Sequence, residues 1–150
     1  ERAKKLQIPC FVFDKIALNE GGVLEEIQKI KPDLIVLAGF LWMFPAAIIA
    51  HYPNKVVNIH PALLPNYGGK GMYGMNVHTA VIAAHEKETG VTIHRVSAEY
   101  DSGEIVAQTT VPVLEKDTPE ILAARVLDRE HEFLVEVISD IVEGKIILGK

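Results

Sequence analysis

The sequence predicts an α/β protein with a doubly wound, mainly parallel sheet. Apolar runs of strand length alternate with helical segments, and Gly or Pro residues separate them. The run at 34–38 is apolar without alternation, which is typical of a parallel strand covered on both faces. Strands that alternate with helices form right-handed βαβ units and therefore an open sheet. With 150 residues, 49% of them hydrophobic, we expect a single domain, residues 1–150.

The first part of the chain is predicted to contain three strands and two helices. The strands are apolar runs bounded by turn residues, at 8–13, 34–38 and 56–60. The helix at 21–31 has an apolar face, and the helix at 45–51 begins with a proline. The single cysteine, Cys10, lies within the first apolar run, which predicts a buried thiol.

The second part begins with a long loop rich in Gly and Pro, residues 61–73. A helix over 76–87 is predicted to end before Gly90, and a strand over 91–96 follows it. A turn at 101–103 then leads to an alternating strand over 105–113. The cap-plus-proline sequence at 117–120 predicts a final helix that ends near Val142.

Composition argues against several classes of partner. The formal net charge is −5 and no basic run exceeds two residues, so we expect no nucleic-acid partner. No apolar stretch reaches the roughly 18 residues of a membrane span. One cysteine excludes an internal disulfide and predicts a cytoplasmic protein. The chain starts at Glu1 without Met or signal peptide, and we expect that it begins inside a longer protein.

Asn58 and His60 are the first candidates for chemistry. Residues two apart on a strand point to the same face, and Pro61 ends this strand directly after them. An amide beside an imidazole suits a reaction in which negative charge develops on a carbonyl oxygen. Asp101, in the later turn, is a carboxylate that could favour the charged imidazole. From these residues alone, a structural strand-end histidine and an ordinary turn aspartate remain open interpretations.

Other motifs are weaker. The string Gly69–Gly74 fits G-x-G-x-x-G, but it does not directly follow a strand, so a mobile lid is a better interpretation than a dinucleotide site. His78 and His85 lie seven apart, about 10 Å by helix rise, which is too far for one ion. We therefore expect no metal. No nucleophile-elbow sequence is present, so direct attack by a substrate amine is favoured over a covalent intermediate.

Four segments together resemble the phosphoribosylglycinamide formyltransferase family. They are Leu37–Phe40, the N-I-H-P-A-L-L-P stretch at 58–65, the G-V-T-I-H stretch at 90–94, and the Y-D-S-G-E-I stretch at 100–105. The resemblance covers about residues 3–142. It implies a Rossmann-like formyltransferase fold with the active site across the strand ends. It also implies formyl transfer from the co-substrate 10-formyltetrahydrofolate to the amine of glycinamide ribonucleotide in purine biosynthesis.

The same resemblance implies roles for individual residues. Asn58, His60 and Asp101 match the catalytic trio, in which Asn58 orients the formyl oxygen and Asp101 holds the charged His60. His94 and Glu130 match substrate-binding positions. The folate pocket is implied to use seven residues in two segments: Leu41, Trp42 and Met43, and Ser97, Ala98, Glu99 and Tyr100. Small-molecule substrates are implied as partners, and a homodimer is possible in this family.

Three alternatives from other classes are kept. A formyltetrahydrofolate hydrolase shares N-x-H and Asp, but would carry a histidine doublet in place of His60-Pro61. A formyltransferase acting on initiator methionyl-tRNA would carry a basic RNA-binding extension, which this acidic chain lacks. A nucleotide-binding module would use Gly69–Gly74 and would be distinguished by titration with reduced nicotinamide cofactor against folate.

A binding prediction follows from the resemblance. The family begins with a strand and a G-x-G-S-N-like loop that binds the substrate phosphate, and neither is found in these 150 residues. We therefore expect the 150-residue chain alone not to bind glycinamide ribonucleotide in a calorimetric titration. The control is the same chain extended to its natural N-terminus, and near-native affinity of the shorter chain would contradict the prediction.

Overall fold

The computed structural model describes residues 2–98 and 101–149 and divides the chain into two compact units, Glu1–Pro32 and Asp33–Lys150. The prediction of a single domain, residues 1–150, stays a prediction. Among the described residues, every helix is too short or too polar to cross a bilayer.

The first unit is helical. It contains α1 (Arg2–Lys5), α2 (Lys15–Asn19) and α3 (Gly22–Ile30), and α2 packs against α3. Asp14 caps α2, because its side chain accepts a 2.8 Å hydrogen bond from the backbone N–H of Ala17. Helix α3 confirms the helix predicted over 21–31, whereas α2 had no clear periodic signal.

The strand predicted over 8–13 is wrong. These residues form no strand, and Ile8, Phe11 and Val12 are 55%, 52% and 87% exposed. Cys10 is exposed as well, so the prediction of a buried thiol is also wrong. An apolar run becomes a strand only where a neighbouring strand accepts its backbone hydrogen bonds, and within the described residues this segment pairs with none.

The second unit contains a four-stranded sheet and three helices. The elements are β1 (Ile35–Leu37), α4 (Ala46–His51), β2 (Val56–His60), α5 (Met75–Ala83), β3 (Glu88–Arg95), β4 (Ile105–Pro112) and α6 (Pro119–Val142). Thr118 caps α6 by accepting from Ile121 N–H, and Pro119 occupies its first turn as the sequence predicted.

The sheet has the strand order β1-β2-β3-β4 and is mixed. The α/β class is confirmed, but among the described strands only β1 and β2 pair in parallel, while β3 is antiparallel to both β2 and β4. Residues 96–104 join β3 to β4, and those of them that the structure describes form no helix. A connection of that length cannot cross over, so these two strands must be antiparallel. Hydrophobic periodicity does not report strand direction, and the predicted mainly parallel sheet was therefore too simple.

The core of the second unit lies between one face of the sheet and the helices. Alternate residues of each strand point to it, which separates the apolar face of β2 and β3 from a polar face. The buried cluster consists of Val57, Ile59, Val81, Val91, Ile93, Val111, Leu122, Val126, Phe133 and Val137.

Gly90 has a different role from the one predicted. Helix α5 ends at Ala83, and Gly90 lies inside β3 rather than at a helix end. A Cβ at this position would overlap the carbonyl oxygen of Thr109 on β4 and would lie 2.6 Å from a methyl carbon of Leu63. Glycine is therefore required by the close approach of two backbones.

Thr92 fixes the start of the loop that follows β2. Its buried hydroxyl donates to the Ala62 carbonyl at 2.6 Å and accepts from the Leu64 N–H at 3.1 Å. Gln108, its neighbour on β4, donates to the same hydroxyl and to the Leu64 carbonyl, both at 2.9 Å. This polar ladder turns the chain away from the sheet after His60.

We predict that Thr92→Val destabilises the protein by about 2 kcal/mol, because it leaves buried backbone groups without partners. Thr89→Val is the matched control: Thr89 lies on the same strand and is also buried, but its hydroxyl has no partner among the described residues. Urea denaturation should show a lower midpoint for the first variant and an unchanged or higher midpoint for the second. Equal midpoints would contradict the role of the ladder.

Candidate active site

A cavity of about 640 Å³ lies in the second unit, at the carboxyl ends of β1 and β2. This is the position at which open α/β sheets bind ligands, and the volume suits a drug-sized molecule. Three loops and parts of β3 and α6 form its walls. The lining residues that matter below are Leu41, Trp42, Met43, Asn58, His60, Gly69, His78, His94, Ser97, Asp101 and Glu130.

Asn58 and His94 form the floor of the polar side. They face each other across β2 and β3 in the antiparallel register, so their side chains share one face of the sheet. The Asn58 amide donates to His94 Nε2 at 3.1 Å, while His94 Nδ1–H donates to the Arg95 carbonyl at 2.9 Å. His94 Nε2 also lies 3.4 Å from Asp101 Oδ1.

His60 lies two residues further along β2 and is 4% exposed. Its Nε2–H donates to the carbonyl of Tyr67 at 2.8 Å, which leaves Nδ1 on the side of Asp101. Burial lowers the pKa of His60, and the nearby Asp101 carboxylate only partly offsets this. Burial therefore favours the neutral imidazole, and the charged His60 that the resemblance implies stays a prediction.

Asp101 joins the two histidines. Its Oδ2 accepts a 2.9 Å hydrogen bond from Gly69 N–H and lies 3.6 Å from His60 Nδ1. Burial disfavours its charge, but the adjacent His94 ring and the hydrogen bond from Gly69 outweigh burial, so the pKa of Asp101 lies below its ordinary value. Asp101 has a left-handed backbone (φ 52°), which aspartate tolerates better than most residues.

The opposite wall is apolar and open to solvent. Leu41, Trp42 and Met43 are 58%, 40% and 47% exposed although they line the cavity. The Trp42 ring packs edge-on against Phe40, and Phe40 packs in the same manner against Phe44. This segment offers a surface on which a planar apolar ligand can pack, rather than hydrogen-bond partners for a polar one.

Some of the other predicted binding residues line the cavity and others do not. Ser97 lines the cavity, and its hydroxyl hydrogen-bonds to that of Ser102 at 2.7 Å. Ala98 is exposed and lies outside the lining. Glu99 and Tyr100 lie outside the described residues. Glu130 of α6 lines the cavity, and burial raises the pKa of its carboxyl group although the neighbouring His131 acts in the other direction.

Sequence reasoning missed two features of the site. His78 on α5 lines the cavity and is buried, with no partner for Nδ1 among the described residues. Burial, followed by the neighbouring His60 imidazole, lowers its pKa. Its position between Val77 and Val81 on a predicted helix was the available signal. The second feature is the Tyr67 carbonyl, and no sequence pattern identifies a backbone acceptor.

Comparison with known proteins identifies the family. The profile of the formyl transferase family matches residues 1–138. The chain belongs to this family. The resemblance inferred from the Asn58–Pro65 stretch and three further segments is thereby confirmed, and the first four residues of that stretch line the cavity.

Individual relatives agree with the formyl transferase assignment. The chain is 43% identical to the chloroplastic phosphoribosylglycinamide formyltransferase of Arabidopsis thaliana, over 97% of this chain and 52% of that protein. The structure of phosphoribosylglycinamide formyltransferase from Anaplasma phagocytophilum is similar with a TM-score of 0.87 and 34% identity, over 97% of this chain and 68% of that one. A formyltetrahydrofolate deformylase from Pseudomonas syringae pv. tomato shares the fold alone, at 22% identity and a TM-score of 0.86, over 99% and 50% of the chains.

The chain spans about half the length of the plant formyl transferases it matches. The described part of the chain contains no group of three or more His, Cys, Asp or Glu residues arranged to hold a metal ion.

We predict that Asp101→Asn lowers the pKa of His60, because it removes the nearest negative charge while burial remains. The pKa is measured from the ring resonances of His60 in an NMR titration. Asp128→Asn, which removes an exposed carboxylate outside the cavity lining, should leave it unchanged. A His60 pKa that stays the same or rises in Asp101→Asn would refute this account.

Proposed function

We propose that this protein transfers a formyl group from 10-formyltetrahydrofolate to the amine of glycinamide ribonucleotide, in purine biosynthesis. The observation that supports it most is the convergence of Asn58, His60 and Asp101 at one edge of a large cavity with an apolar opposite wall. The names of the two phosphoribosylglycinamide formyltransferase relatives supply the substrates.

The proposed reaction is direct attack by the substrate amine. The amine nitrogen bonds to the formyl carbon, and the carbonyl electron pair becomes an oxyanion. The oxyanion is stabilised by an N–H of Asn58, whose amide has a second donor beyond the one used by His94. When the intermediate collapses, the bond between the formyl carbon and N10 of the folate breaks, and N10 takes up a proton.

His60 is suited to carry that proton. The neutral imidazole has an unprotonated Nδ1 facing the Asp101 side, so it can accept the proton that the attacking amine loses. The resulting imidazolium lies 3.6 Å from the Asp101 carboxylate, which stabilises its charge. His60 then delivers the proton towards the leaving nitrogen. Asp101 stays ionised throughout, in agreement with its lowered pKa.

The two substrates are proposed to use different walls. The pterin would pack on Leu41, Trp42 and Met43, with Ser97 and the segment of Ala98, Glu99 and Tyr100 opposite. The ribonucleotide would contact His94 and Glu130. Support comes from the exposed apolar surface of the first wall and from the half-buried carboxyl group in the second.

We further propose that the partners are small molecules, with no nucleic acid, membrane or metal involved. A homodimer and a cytoplasmic location are part of the same proposal, although the Arabidopsis relative is chloroplastic. The deformylase reaction is the second candidate, favoured only by the shared fold. It is distinguished by its products: a hydrolase releases formate when no amine acceptor is present.

The proposal predicts that His60→Ala lowers kcat for formyl transfer by about 10²- to 10⁴-fold, the usual contribution of a positioned acid–base group. The assay follows folate absorbance with glycinamide ribonucleotide as acceptor, using the natural full-length protein. His51→Ala, which removes an exposed histidine from α4, is the control and should retain activity. Formate release at the same rate without the acceptor would instead support the hydrolase.

A further inference from the structure

Tyr67 has a backbone conformation that needs an explanation. It lies in the loop between β2 and α5 with φ 56°, in the left-handed region that bulky residues rarely adopt. Such a conformation persists only where the surroundings hold it, and it tends to occur next to functional sites. The contacts of Tyr67 therefore show what the conformation achieves.

Tyr67 is held at both ends. Its carbonyl oxygen accepts the Nε2–H of His60 at 2.8 Å, and its hydroxyl donates to Glu86 Oε1 at 2.7 Å. Its ring packs against the core cluster. Glu86 lies between α5 and β3, is not among the described residues that line the cavity, and hydrogen-bonds to the site's neighbour Tyr67.

The carbonyl contact determines which nitrogen of His60 carries the proton. A carbonyl oxygen only accepts hydrogen bonds, so the neutral ring must keep its proton on Nε2. The Nδ1 lone pair is then directed to the Asp101 side, where the proposed reaction needs a proton acceptor. If the carbonyl moved away, the ring could instead protonate Nδ1 and donate to Asp101.

We propose that Tyr67 and Glu86 are positioning residues that fix the tautomer of His60 by holding the Tyr67 carbonyl against Nε2. The kinetic consequence rests on the proposed formyl transfer, but the tautomer itself does not. Glu86 acts from outside the cavity by anchoring the Tyr67 hydroxyl, and the left-handed backbone aims the carbonyl inward.

The direct test is the tautomer of His60, measured from the ring nitrogen chemical shifts by NMR. The full-length protein should show only the Nε2–H form. Tyr67→Phe and Glu86→Ala should both give a mixture with the Nδ1–H form. Glu86→Gln keeps an acceptor for the hydroxyl and should retain the single form, as should Glu88→Gln, which removes an exposed carboxylate two residues away.

Three outcomes would overturn the proposal or part of it. A pure Nε2–H form in every variant removes the positioning role of both residues. If Tyr67→Phe alone gives a mixture of tautomers, Glu86 has no positioning role. A mixture in Glu88→Gln as well means that surface charge rather than the hydroxyl anchor controls the ring.

The kinetic test separates this inference from the proposed function. Tyr67→Phe and Glu86→Ala should lower kcat about fivefold, the effect of one hydrogen bond, with KM unchanged. The acid limb of the pH profile should shift while the other titratable groups facing His60, namely Asp101, His94 and His78, stay in place. If the parent protein transfers no formyl group but the tautomer responds as expected, only the proposed function fails. If transfer occurs and the tautomer does not respond, only the inference fails.

Discussion

The antiparallel register between β2 and β3 is the constraint on which the site depends. It places Asn58 opposite His94 and His60 opposite Thr92, so four polar residues occupy one face while Val57, Ile59, Val91 and Ile93 occupy the other. A shift of β3 by one residue against β2 would turn the side chains of β3 to the opposite faces, placing His94 in the apolar core and Val91 and Ile93 on the polar face. Core packing therefore fixes the position of the polar side chains of the site. A change in the packing of these strands would also change where those side chains lie.

Burial and charge then oppose each other within the polar face. The buried His60 and His94 lie beside the Asp101 carboxylate, and the buried His78 lies near His60. Desolvation disfavours charge on the imidazoles, and a second positive ring nearby disfavours it further, which lowers the pKa of His60 and His78. Burial penalises the charge of Asp101 as well, but the His94 ring beside its oxygens and the N–H of Gly69 lower its pKa by more. The result is an ionised acid beside a neutral base, which is the combination that accepts a proton readily.

The parts of this arrangement that depend only on neighbouring residues could be predicted from the sequence. Asn58 and His60 could be placed at a strand end because period-two alternation and Pro61 are visible in the chain. Periodicity could not show that the 8–13 run pairs with no described strand, that β3 is antiparallel, or that position 90 needs glycine, because these features depend on residues distant in sequence. The orphan nitrogen of His78 and the carbonyl of Tyr67 depend on tertiary contacts in the same way. Family resemblance supplied what spacing could not, namely the connection of Asp101 to His60.

The glycine-rich segment 69–74 acquires a physical role from these contacts. Its first residue, Gly69, donates its N–H to Asp101, and a Cβ on the preceding Gly68 would lie 2.5 Å from Leu64 Cδ2, so a side chain there would have to displace that methyl group. The carboxylate that biases His60 thus also anchors the start of the cavity wall. Because the folded-state pKa of Asp101 is depressed, this anchor is fully present above its ordinary pKa and is lost only as pH falls through the lowered value. Loop position and imidazole charge are therefore coupled through one side chain, and the string that resembles a dinucleotide fingerprint serves the acid–base site instead.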